Sequence, residues 1–117
     1  MVEIIHTSAG DKILRKAMGD QDYYPNGGSV QPGCPNIENN ITCAHFRAYE
    51  LYAESINSPS SLISIRCENY KKFLTGDCTN NTIASLPGAY KVDKLKGSYF
   101  LKTKDKMPFG MGKMGYT

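Results

Sequence analysis

The clearest pattern of apolar and polar positions lies between residues 44 and about 57. Ala44, Ala48, Leu51, Tyr52 and Ile56 recur at three- and four-residue spacing, which predicts one helix with those residues on its apolar side. Ser58-Pro59-Ser60-Ser61 ends it. Residues 2–7 are rich in β-branched side chains and predict a buried strand. Residues 97–103 predict a second strand, with Tyr99 and Leu101 on one face and Phe100 on the other. Residues 67–74 predict a short helix stopped by Gly76. Elsewhere the pattern is weaker. Tyr23-Tyr24-Pro25-Asn26-Gly27-Gly28 is a turn signal, because Pro fixes φ and Asn-Gly tolerates positive φ. Residues 31–42 and 79–96 carry no period, and the Gly-rich residues 110–117 predict a frayed tail.

The chain has 117 residues, enough for one small domain, and a net charge of +3. No Lys/Arg block is long enough to argue for nucleic acid. No apolar run approaches the roughly 18 residues of a membrane span. Lys12, Arg15 and Lys16 form a basic loop, by default a solvated face, in the sharper reading a contact with lipid phosphates.

The four cysteines fall as two close pairs, Cys34 with Cys43 and Cys67 with Cys78. Four cysteines allow three connectivities; neighbour pairing is the simplest, since each pair brackets a turn-rich loop. No Cys-x-x-Cys occurs, so zinc is not expected. Asn40-Ile41-Thr42 and Asn80-Asn81-Thr82 are acceptor patterns for N-linked glycans, at Asn40 and Asn80. Paired cysteines and acceptor patterns together favour an oxidising, extracellular setting. Met1-Val2-Glu3-Ile4-Ile5 has neither the basic start nor the long apolar stretch of a signal peptide. The expectation is therefore that further residues precede Met1.

Four separate segments carry a resemblance. Ile4-Ile5-His6-Thr7, Asp22-Tyr23-Tyr24-Pro25-Asn26-Gly27-Gly28, Gln31-Pro32-Gly33-Cys34 and Cys43-Ala44-His45 with Arg47-Ala48-Tyr49 resemble, in order and spacing, the secreted animal lipases. That family includes pancreatic-type lipases and insect phospholipases A1. The likeness continues through Cys67-Glu68-Asn69-Tyr70 and Gly97-Ser98-Tyr99-Phe100-Leu101. It implies an α/β-hydrolase fold and covers only the C-terminal part of that family's catalytic domain, so the 117 residues read as one partial lipase domain. It also implies a Ser-Asp-His triad in that chain order. The match places the catalytic base at His45. A helix start there would favour the neutral ring. No Gly-x-Ser-x-Gly is present, nor the family's acid motif, so residues 1–117 alone are expected to be inactive. His6 reads as a structural, hydrogen-bonding residue at a strand end, Asp22 as a turn or loop anchor, and Tyr49 and Tyr52 as packing.

In the family the segment between Cys34 and Cys43 is the lid. Here it spans residues 35–42, eight residues, too few for a helix able to cover an apolar cleft. A short lid resembles the phospholipase A1 branch. The implied substrate is a phospholipid at a membrane or micelle surface, with no cofactor. The alternatives are a triacylglycerol or galactolipid lipase, or, in another class, a non-catalytic storage protein of the yolk-protein kind. A free-standing disulfide-stapled binding module is a further reading, against which stands the unpaired opening strand.

Overall fold

In the computed structural model, residues 3–7, 21–34, 41–85 and 97–117 are described. Their strands are β1 (Glu3–Ile5), β2 (Gln21–Pro25), β3 (Ile63–Arg66), β4 (Ile83–Ser85) and β5 (Gly97–Leu101), and their helices α1 (Ile41–Asn57) and α2 (Tyr70–Leu74). The strands form one sheet in the order β1-β2-β5-β3-β4. β1, β2 and β5 run parallel, while β3 is antiparallel to both β5 and β4. This mixed sheet with its helices is consistent with part of an α/β-hydrolase, the class the resemblance implied.

The two faces follow from strand alternation. Tyr23 lies opposite Tyr99, and Tyr24 opposite Phe100. On one face Tyr23, Tyr99 and Leu101 pack with Leu51 of α1, Leu62 and Phe109. On the other, Tyr24, Phe100 and Ile65 pack with Phe73 of α2 and with Cys67 and Cys78. Rings stack across each pair, with centroids 5.5 Å apart for Tyr23 and Tyr99 and 5.1 Å for Tyr24 and Phe100. The sheet therefore separates an α1 layer from an α2 layer. The disulfides join Cys34 to Cys43 and Cys67 to Cys78.

Several elements differ from the sequence expectation. β2 occupies residues read as the front of a turn. All five of its residues are buried; Tyr23 Oη donates to Gln21 Oε1 at 2.9 Å, and Asp22 Oδ1 meets His6 Nε2 at 2.8 Å, while Gln21 Nε2 has no hydrogen-bond partner among the described residues. The turn itself starts only at Asn26, where Asn26, Gly27 and Gly28 all take positive φ (55°, 86° and 83°). β4 lies within the segment read as irregular. The two central residues of β3, Ser64 and Ile65, are buried, and Ser64 Oγ donates to the Ala84 carbonyl at 2.8 Å.

The inner face of α1 is also corrected. The buried positions are Ala44, Arg47, Leu51 and Ser55. Tyr52 and Ile56, expected inside, are nearly half exposed, and Tyr49 is 66% exposed. The helix is rotated so that Arg47, with polar partners of its own, replaces them. The frayed tail is not found: Gly115 is buried, its carbonyl accepts from Lys102 N at 2.7 Å, and Gly112 N donates to the Ser61 carbonyl at 2.9 Å.

Candidate active site

In a parallel sheet, chemistry collects beyond the carboxyl ends of the strands. Here those ends are tied together by a few polar side chains. Gln31, fully buried, donates from Nε2 to the carbonyls of Thr7 after β1 (3.2 Å) and Pro25 at the end of β2 (3.0 Å). Its Oε1 accepts from Asn26 Nδ2 at 3.0 Å. Asn26 reaches on to Thr103, just past β5, through Nδ2 to Oγ1 (2.9 Å) and through Oδ1 to the backbone N–H (3.0 Å). Each bond satisfies a group that burial would otherwise leave costly.

The loop after Gln31 receives α1. Arg47 is 4% exposed and points from the helix into that loop. Its Nη1 donates to the Pro32 carbonyl at 2.8 Å, its Nη2 lies 3.4 Å from Cys34 Sγ, and its Nε pairs with Glu50 Oε1 at 3.1 Å. The guanidinium sits 4.3 Å over the Phe109 ring. The Cys34–Cys43 disulfide ties the same loop to the first turn of α1. The far end is held by Glu54, whose carboxylate accepts from the backbone N–H groups of Phe109 (2.7 Å) and Gly110 (2.8 Å) and from Ser61 Oγ (2.6 Å). In the sequence Gln31 and Arg47 stand out only within the motifs of the resemblance, Asn26 only there and as a turn residue, and Glu54 not at all.

His45 lies next to buried Ala44 on the exposed side of α1. Phe46 and Tyr49 are exposed beside it, with rings 5.3 Å apart. The helix begins at Ile41 rather than Ala44. His45 therefore stands past the first turn, and the helix dipole, which falls off within that turn, does little for its ring. The expected lid loses Ile41 and Thr42 to the helix, and the rest of it lies outside the described residues, as do Asn40, Lys12, Arg15 and Lys16. Asn80 is exposed in the turn after Cys78.

The other histidine, His6, is buried on the α2 side of the sheet. Its ring pairs with Asp22 at 2.8 Å and stacks on Tyr24 at a centroid distance of 4.4 Å, nearly parallel. Among the described residues no group of His, Cys, Asp and Glu could hold a metal ion, and no helix is long and apolar enough to cross a membrane.

Comparison with known proteins decides what this arrangement belongs to: the sequence model of the lipase family matches residues 1–109. The chain belongs to the lipase family. Among its relatives, phospholipase A1 member A of Homo sapiens is 33% identical over 126 residues, covering 94% of this chain and 28% of the relative. The same protein of Mus musculus is 41% identical over 81 residues, covering 66% of this chain and 18% of the relative. Pancreatic lipase-related protein 3 of Homo sapiens is 32% identical over 139 residues, covering 92% of this chain and 30% of the relative. This lipase chain thus spans less than a third of the length of the curated relatives it matches.

Arg47 gives the lipase chain a direct test. Arg47→Ala removes the ring contact and leaves the Pro32 carbonyl without its charged donor. The expected loss is about 2–3 kcal/mol of unfolding free energy, read from urea denaturation. Arg47→Lys should recover only part, since an ammonium neither stacks flat on Phe109 nor reaches two acceptors at once. A midpoint unchanged in Arg47→Ala would show that the disulfide alone seats α1.

Proposed function

We propose that this chain carries the catalytic base of a secreted phospholipase A1-type ester hydrolase. The observation that carries the reading is His45, set within Cys43-Ala44-His45-Phe46-Arg47-Ala48-Tyr49 on a helix fixed beside the carboxyl ends of parallel strands. In that reading the serine and aspartate are supplied from outside the 117 residues, which contain no Gly-x-Ser-x-Gly. His45 takes the proton of the serine hydroxyl as that oxygen attacks the ester carbonyl, then gives it to the departing lysophospholipid oxygen. Water, activated by the same ring, releases the fatty acid from the acyl-enzyme.

The short segment between Cys34 and Cys43 and the likeness to phospholipase A1 member A support a phospholipid substrate. Lys12, Arg15 and Lys16 would add attraction to anionic lipid surfaces, about 1 kcal/mol each at low salt. The disulfides support an extracellular location. Likeness to pancreatic lipase-related protein 3 keeps a neutral-lipid reading in play. Matched assays on phosphatidylcholine vesicles and triolein emulsion, run on this chain joined to the segment that supplies the serine and aspartate, separate the two. The expected result is faster turnover of phosphatidylcholine, without a jump in rate at the oil interface. Preference for triolein with such a jump would place the protein in the neutral-lipase branch.

A further inference from the structure

Asn80 opens the acceptor pattern Asn80-Asn81-Thr82 in a turn whose geometry is fully described. The Cys67–Cys78 disulfide fixes this turn beside the end of β3. Asn80 and Thr82 are both exposed. Asn81 is committed elsewhere: its Nδ2 donates to the Arg66 carbonyl at 2.9 Å, and its backbone N–H closes the turn on the Cys78 carbonyl at 3.0 Å. Arg66 N donates in turn to the Thr82 carbonyl at 2.8 Å, so strand pairing resumes directly after Asn81. The two asparagines have thus been given different work, one holding the turn and one standing outside it.

Asn80 also lines an open cavity of about 600 Å³ between the end of β3 and the start of β5. Arg66, Glu68 and Ser98 share its walls. A guanidinium, a carboxylate and a hydroxyl offer both donors and acceptors, the chemistry that sugar hydroxyls and an acetamido group require. His45 is not part of this cavity.

We propose that Asn80 carries an N-linked glycan whose first N-acetylglucosamine sits in this cavity. The bond formed joins Asn80 Nδ2 to the anomeric carbon of the sugar. The bond broken joins that carbon to the diphosphate of a lipid-linked oligosaccharide donor, and the amide gives up one proton. The glycan stands just ahead of β4, an outer strand of the described sheet whose Ile83 is 47% exposed. A hydrated bulk there obstructs edge-to-edge pairing with another chain. The proposal needs passage through a secretory compartment but does not rest on the hydrolytic reading; a protein without esterase activity would leave it standing.

The test is peptide mapping of the protein secreted from insect cells. The peptide containing Asn80 is expected to carry hexosamine, and peptide N-glycosidase should convert position 80 to aspartate. Asn80→Gln and Thr82→Ala should each remove the sugar mass, while Asn81→Gln should not. A secreted protein with Asn80 unmodified overturns the proposal. The seating is read from endoglycosidase trimming, expected to be slower on the native than on the denatured protein, with the gap narrowed by Arg66→Ala combined with Glu68→Ala. Equal trimming rates on native and denatured protein would overturn the seating.

Discussion

In a lipase that joins this chain to the segment supplying its serine and aspartate, replacing His45 with alanine is expected to lower kcat on a short-chain nitrophenyl ester by about 10⁵-fold or more, with KM little changed. Members of a Ser-His-Asp unit act together, so losing the base removes nearly all that the triad contributes. The substitution should leave the fold intact. His45 is exposed on α1, and alanine is the residue that helices accept most readily. An unchanged urea midpoint would therefore accompany the lost rate, a combination that a damaged fold could not produce. The chain has 2 histidines, and the other is buried against Asp22 on the α2 side of the sheet. Activity within about tenfold of the parent, some 1.4 kcal/mol in barrier, would remove His45 from the chemistry altogether.

Asp22→Ala is the substitution expected to cost most in stability, about 3–5 kcal/mol. Both partners of the His6–Asp22 pair are nearly inaccessible, at 5% and 1% side-chain exposure, and their atoms lie 2.8 Å apart. Removing the carboxylate leaves the imidazole Nε2 without this partner in a buried site against the Tyr24 ring, where water has little access. The site also lies in β2, which is paired on both sides, to β1 and to β5. Asp22→Asn keeps the shape and one hydrogen bond to a suitable tautomer, and should cost only about 1 kcal/mol. Chemical denaturation of the two variants side by side checks both numbers. A change below about 0.5 kcal/mol in Asp22→Ala, the range of ordinary surface substitutions, would show that the pair adds nothing to the fold.

What the sequence made legible follows from local physics. α1, α2, β1 and β5 each had a period or a run of strand-forming residues, and the turn at Asn26 had the residues that positive φ requires. The resemblance supplied the class, and His45 as the candidate base. β2 escaped because Gln21 and Asp22 look like surface residues. Their burial depends on Tyr23 Oη and on His6, the latter distant in sequence. β3 and β4 are short, and Ser64 breaks the apolar pattern until the Ala84 carbonyl is brought opposite it. Arg47 carried no apolar signal to mark it as an inner position, yet Pro32 and Phe109 make a buried seat for it. Asp22, Ser64 and Arg47 each lie inside because a partner is far along the chain, and no short window of sequence contains both.

The carboxylate at the end of α1 has a mechanical consequence. Glu54 grips the backbone of Phe109 and Gly110, which makes it a pivot, and α1 a lever with His45 toward the other end. At a rise of about 1.5 Å per residue the two side chains stand roughly 13 Å apart along the axis. A tilt of about 5° around that pivot would carry the imidazole about 1 Å, and a displacement of that size can cost on the order of 100-fold in rate. If His45 is the base proposed above, its aim is set as much by a carboxylate remote from any substrate as by the disulfide beside it.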